Sequence, residues 1–270
     1  MLTIILSLMV GAGVGLGLYV GDAAHWGWCI LWGVLAFAAC QAGAGWVLRG
    51  RIKRMMDAVQ GTLMAGQKKL QAKINQWQLR PPGSVKQAQL EIEREQRGFL
   101  QQAIEQTSAF DVYYRWSPLL KRQVNTLKMQ LRYQMKDFAE VDRLLPTCLF
   151  LEPMTAAMRL ARMYVNKDEN LGKVFDKQVL RLRYGQGAIL YALYAWIAVQ
   201  RNDIDLAHKT LIRASAKLEN ETIKRNLEHL ANNRAKQFSN AGLGDEWYAL
   251  GLEEPRVKMQ RQRGPGGRPF

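Results

Sequence analysis

The first 48 residues carry a single formally charged side chain, Asp22, and every Lys and Arg follows them. Residues 2–20 form one apolar run, residues 21–25 (Gly-Asp-Ala-Ala-His) interrupt it, and residues 26–48 form another. A helix needs about 20 apolar residues to cross roughly 30 Å of hydrocarbon. Two such runs separated by so short a break predict a transmembrane hairpin over residues 1–48, with spans at about 2–20 and 26–48. Trp26 and Trp28 at the outer end and Trp46 at the inner end sit where amphipathic rings favour the headgroup zone. A cleaved signal peptide is the rival reading, but it wants a basic stretch behind Met1. Two buried helices of a soluble protein would be shorter.

Arg49, Arg51, Lys53 and Arg54 follow the second run at once. Basic residues beside a span stay on the cytoplasmic side. The expectation is a multi-pass protein of the cytoplasmic membrane with both termini, and the bulk of the chain, in the cytoplasm. The same four residues are the expected contact with the anionic inner leaflet, because each Lys or Arg close to that surface contributes about 1 kcal/mol.

Gly11, Gly13, Gly15 and Gly17 line the first run, with Gly21 after them. Glycines four apart open a groove for close helix packing. The partner is either the second span of the same hairpin, which is the favoured reading, or another copy in a homo-oligomer. No G-x-G-x-x-G register fits the series, and no Lys-Ser or Lys-Thr follows it, so it is not a nucleotide loop.

The chain holds 38 Lys and Arg against 23 Asp and Glu, a net charge of +15. A basic surface beside a membrane points to anionic lipid. Nucleic acid is the other candidate, and is disfavoured because the first basic cluster lies directly against the spans. Cys29, Cys40 and Cys148 form no C-x-x-C pair and no metal-ligand pattern with the three histidines. Free thiols are expected.

Residues 49–83 read as a basic juxtamembrane helix and a linker. Ile52, Met55, Met56, Val59, Leu63, Leu70, Ile74 and Trp77 recur mostly at three or four residues, and the helix either continues the second span as a stalk or lies along the lipid. Arg80-Pro81-Pro82-Gly83 stops it, and Ser84 is placed to cap the next helix. From residue 84 to 254 the pattern is helix after helix, without a period-2 strand. The fold class expected is all-α: a two-helix transmembrane hairpin, then an antiparallel helical solenoid. Residues 255–270 are basic, with Gln, Gly and Pro and no acid, and read as a disordered tail.

The solenoid reading rests on particular residues. Lys136-Asp137-Phe138-Ala139-Glu140-Val141 matches the inter-helix turn and second-helix start of a tetratricopeptide repeat. Leu145 and Cys148 follow Val141 at plus four and plus seven, and Pro153 at plus twelve takes the place of the closing proline. A second match begins at Arg201-Asn202-Asp203, with Ala207, Leu211 and Ala214 at the same offsets and Tyr191, Tyr194, Ala195 and Ala198 on the helix before. Val141 and Ala207 are 66 residues apart, about two repeat lengths. A middle unit would use residues 158–164 and 171–182, with an eroded signature. Residues 118–235 thus resemble a degenerate tetratricopeptide-like array, in which small residues let the helices of a unit approach. The rival is a generic antiparallel helical array. The whole layout is similar to that of certain bacterial envelope proteins of the porphyrin pathway, as an analogy of architecture.

Residues 221–240 predict a further amphipathic helix, and Glu246 to Leu252 an apolar piece that docks on the array or binds a partner. No G-x-S-x-G, H-E-x-x-H or Walker loop occurs. His208 and His229 read as surface histidines, and Glu91, Glu93 and Glu95 as a solvated helix face. The aromatics from Phe110 to Trp116 read as core packing at a helix start rather than a nucleic-acid stack. No catalytic site, cofactor or metal is expected. Two functions remain: a membrane-anchored scaffold or adaptor for an as yet unidentified protein partner, possible within an envelope complex, and a membrane-tethered nucleic-acid binder using the basic tail.

Overall fold

A computed structural model describes residues 2–21, 25–79 and 84–254. Asp22, the Arg80-Pro-Pro-Gly83 break and the basic tail 255–270 lie outside them. Among the described residues the fold is all-α, with short 3-10 turns and no strand. The chain divides into two compact units, residues 1–149 and 150–270.

In the first unit, α1 (Leu2–Val20) and α2 (Trp26–Leu79) pack against each other as an antiparallel pair. The α2 helix has 54 residues and runs from the apolar stretch through Arg49–Arg54 to Leu79 without interruption. Of the two expectations for residues 49–79, the continuous stalk is the one realised. Gly61 and Gly66 do not break it. Gly66 marks a crossing point: a Cβ there would lie 2.6 Å from the Phe99 ring.

Helix α3 (Val85–Gln106), with Ser84 as its N-cap, turns back along α2. The division of the chain at residues 149 and 150 therefore differs from the sequence-level boundary at residues 83 and 84. A proline break ends a helix, but it does not stop the next one from packing on the last. Lys73 bridges Glu91 and Glu95, and hydrogen bonds to Glu91 and then Glu95 raise its pKa above the ordinary lysine value. Two of the three glutamates read as a solvated face are thus paired. At the other end of α3 the Gln106 amide donates to Thr62 Oγ1 at 3.0 Å. A 3-10 segment, Thr107–Tyr113, continues from α3, and α4 (Pro118–Gln134) starts on Pro118 with Ser117 before it. Val59, Leu100, Ala103, Phe110, Leu120, Val124 and Leu131 form one buried cluster, with Ile52, Met55, Met56 and Leu63 packed against it. The apolar face of α2 from Ile52 to Leu63 is therefore packed against protein. Helix α5 (Phe138–Leu144) closes the unit against α4.

The second unit is built around α8 (Ala188–Gln200), which packs against α6 (Pro153–Val165), α7 (Leu171–Val179) and α9 (Ile204–Ser215); α10 (Glu221–Ala231) lies on α9. Pro153 opens α6 at its first turn, where proline's missing N–H leaves no bond unmade. The helix expected over residues 221–240 ends at Ala231 instead. A buried amide network replaces its second half. Asn226 donates to Asn240 Oδ1 and Asn240 donates to the Ala192 carbonyl, both at 2.9 Å. The last short helix, α11 (Asp245–Tyr248), buries Trp247 completely.

Candidate functional site

Helix α1 meets α2 through glycine. A Cβ on Gly11 would lie 2.7 Å from the Gly33 carbonyl oxygen, and one on Gly15 3.3 Å from that of Cys29. A Cβ on Gly33 would lie 2.9 Å from the Gly11 oxygen. Gly13 and Gly17 have no atom within 4 Å of where a Cβ would stand. The four glycines thus divide into two against the partner helix and two facing away. Gly33 was not singled out from the sequence, because no other glycine stands four residues from it. Ser7 is buried and donates to Gln41 Oε1 at 2.7 Å, a polar tie between two apolar helices. Cys29 is buried, Cys40 half-buried and Cys148 buried, all three as free thiols. Both helices are long and apolar enough to cross a membrane.

Where the apolar part of α2 ends, Arg49, Arg51, Lys53 and Arg54 all stand exposed. Successive residues are about 100° apart on a helix, so the four cations form a partial collar over about 200°, leaving the face on which Ile52, Met55 and Met56 pack into the core. Beside this collar lies a groove of about 470 Å³. Thr3, Gly43, Ala44, Val47, Leu48 and Arg51 line it from the helical pair, and Val112, Tyr113 and Trp116 from the loop after α3. Phe110 of that aromatic group is fully buried in the core, as expected of core packing, while Val112 is 72% exposed. The groove was not visible in the sequence, since it joins residues more than 60 positions apart.

The residues read as repeat packing lie as follows. Val141 and Cys148 are buried and Leu145 half-buried in the first unit. In the second, Tyr191, Ala195, Ala198, Ala207, Leu211 and Ala214 are buried, and Pro153 and Tyr194 half-buried. The Tyr194 ring stacks on Phe175 with centroids 4.0 Å apart, and its hydroxyl lies 3.1 Å from where a Cβ on Gly172 would be. Burial raises the Tyr191 and Tyr194 hydroxyl pKa values above the usual range.

One repeated feature escaped the sequence reading. Lys136, Lys167, Asn202 and Asn233 have φ of 60°, 56°, 59° and 55°. They follow α4, α6, α8 and α10 in turn, and each is closed by the same pair of backbone bonds. Asp137, Asp168, Asp203 and Arg234 N–H groups donate five residues back, to the carbonyls of Arg132, Met163, Ala198 and His229, at 2.7–3.0 Å. This is a Schellman closure, normally completed by glycine. The four turns are spaced 31, 35 and 31 residues apart. The signal was present as Lys-Asp, Lys-Asp and Asn-Asp, but without glycine it is faint.

A second unforeseen feature is Glu253. Its carboxylate accepts from the indole N–H groups of Trp196 and Trp247, each at 2.7 Å, and so ties the end of the described chain to α8. Among the described residues no group of three His, Cys, Asp or Glu is placed to hold a metal ion. No protein-family model matches this chain, and comparison with curated proteins and with solved structures found no match.

Proposed function

We propose that this chain is a membrane-anchored helical-repeat scaffold, whose two apolar helices cross the cytoplasmic membrane as a hairpin and whose tetratricopeptide-like helices hold a protein partner in the cytoplasm. The observation that carries the reading is the continuity of α2. One helix passes from an apolar stretch, past four exposed cations, into a packed protein core. An anchor built this way holds the first unit at a set distance from the bilayer. The positive-inside rule then puts the collar, and both termini, in the cytoplasm. The recurrence of one turn geometry every 31–35 residues supports the repeat reading, since a tetratricopeptide unit has about 34 residues. The face opposite the packed alanines would hold the partner. On the second unit, Leu180 and Tyr184 stand exposed in the loop between α7 and α8, Tyr184 at 80%.

The anchor is tested by alkaline carbonate washing of native membranes, from which the full chain should not be extracted. A reporter fused after Phe270 should be active only in the cytoplasm; periplasmic activity overturns the orientation. A photo-crosslinking residue at Tyr184 should give one discrete adduct in native membranes, and the same label at the exposed Arg143 should not. A uniform smear from both positions would sink the partner assignment.

A further inference from the structure

We infer that the groove at the inner end of the hairpin is a binding site for one anionic phospholipid of the cytoplasmic leaflet. The inference rests on the membrane-anchor reading. Its starting point is a register. Gln106 at the end of α3 is hydrogen-bonded to Thr62, so the chain at that point lies well above the basic collar. The 3-10 segment Thr107–Tyr113 then runs on for seven residues. At about 2 Å per residue that is about 14 Å, which matches about nine residues of α-helix at 1.5 Å each. The tip therefore comes down beside Arg51, and Val112, Tyr113 and Trp116 reach as far as Val47, Ala44 and Gly43.

Those last residues belong to the apolar run, so the groove straddles the level at which hydrocarbon meets headgroup. Its two ends differ in the same sense as a phospholipid. Gly43, Ala44 and Val47 form an apolar wall whose small side chains leave space for an acyl chain. Arg51 is a guanidinium donor suited to a phosphate. Tyr113 and Trp116 are the amphipathic rings that favour the headgroup layer. Val112 would be a large apolar side chain standing in water were no lipid there. Arg54, about 60° around α2 from Arg51 at 100° per residue, adds like charge beside the entrance, and this selects an anionic headgroup over a zwitterionic one.

The test uses the purified full chain in detergent, with phosphatidylglycerol and phosphatidylcholine of identical acyl chains, and counts retained lipid by native mass spectrometry. One phosphatidylglycerol per chain should be retained in at least fivefold preference. Arg51→Gln and Val112→Glu, both at exposed positions, should each remove the preference, while Arg143→Gln should leave it unchanged. Glycerophosphoglycerol, which has the headgroup without acyl chains, should not displace the lipid. Equal retention of the two lipids, an Arg51→Gln protein that behaves as wild type, or displacement by the acyl-free headgroup each overturns the site. Carbonate washing keeps the two readings apart. A chain that stays in the membrane but shows no headgroup preference loses only the lipid site, whereas an extracted chain loses the anchor and the site together.

Discussion

Helices α1 and α8 are both apolar on every side, yet they do opposite things with their side chains. In α1 the large residues point outward, with Leu8 59% and Met9 69% exposed, and the contact with α2 is made by Gly11 and Gly15. In α8, Leu190, Leu193 and Ile197 are buried, and the alanines fill the close approaches. Length and neighbours separate the two cases. The 13 residues of α8 are too few to span a bilayer, and α6, α7 and α9 cover it on several sides. The 19 residues of α1 pack on α2 and leave most of their large apolar side chains uncovered. The source of stability differs accordingly. Around α8, removal of apolar surface from water dominates. Under the membrane-anchor proposal no such force acts between α1 and α2, and close backbone packing with a polar tie such as Ser7–Gln41 takes over. Glycine use follows the same division. The hairpin spends it on close approach, while the four left-handed turns, where glycine would relax the backbone, are made by Lys and Asn.

The strongest way to break this comparison is to uncover α8. Trp247→Ala leaves a large cavity against Trp196 and removes one of the two donors to Glu253. It should destabilise the second unit by about 3–5 kcal/mol, read as loss of its thermal transition by circular dichroism in detergent, while the hairpin stays helical. A transition that does not move would mean that α11 contributes nothing to the cover of α8.

Ala195→Leu is next. Ala195 is fully buried, so the larger side chain should overpack the helices around α8 at about 1–3 kcal/mol. An unchanged melting temperature would place Ala195 outside any close approach.

Within the hairpin, Gly33→Leu should push α1 from α2, with a penalty also on the order of 1–3 kcal/mol. Gly13→Leu and Gly17→Leu should be silent in the same assay, energy transfer between dyes at the two helix ends. If Gly13→Leu or Gly17→Leu instead lowers the oligomeric state in detergent, the outward glycines serve a second copy.

Smaller effects sharpen the contrast in glycine use. Lys167→Gly should stabilise the second unit by about 0.5–1 kcal/mol, because the left-handed penalty of roughly 1–2 kcal/mol for a residue with a Cβ exceeds the entropy glycine adds to the unfolded chain. Urea titration would register this as a higher midpoint at constant slope. Ser7→Ala should cost only about 0.6 kcal/mol, the average for a hydrogen bond between membrane helices, and should change hairpin closure barely measurably.

Legibility in the sequence followed how local each signal was. The two apolar runs, the collar and the register of Ala207, Leu211 and Ala214 all lie within single helices and could be read from spacing. Helices were expected over residues 158–164 and 171–182, and α6 (Pro153–Val165) and α7 (Leu171–Val179) cover most of both. The end of α10 was misjudged by nine residues, because Ile223, Leu227 and Leu230 continue into Phe238 with helical spacing while Asn226 and Asn240 close the chain by a buried network instead. Nothing in the sequence around Glu253 reports its partner Trp196, which lies 57 residues away. The groove beside the collar depends on α3 folding back along α2, and nothing in the Arg80-Pro-Pro-Gly83 break reports that direction.

The sequence by itself determined that the described residues of this chain form helices and no strand, that two of those helices are long and apolar enough to cross a membrane, and that a dense basic flank follows the second. Composition and short-range spacing decide those properties. Only the tertiary structure decided which glycines meet the partner helix, that the second apolar run and the basic helix are one rod, and that the aromatic tip after α3 returns to the collar. Those depend on which faces find each other across tens of residues, where the free energy lies in mutual burial and not in any one segment.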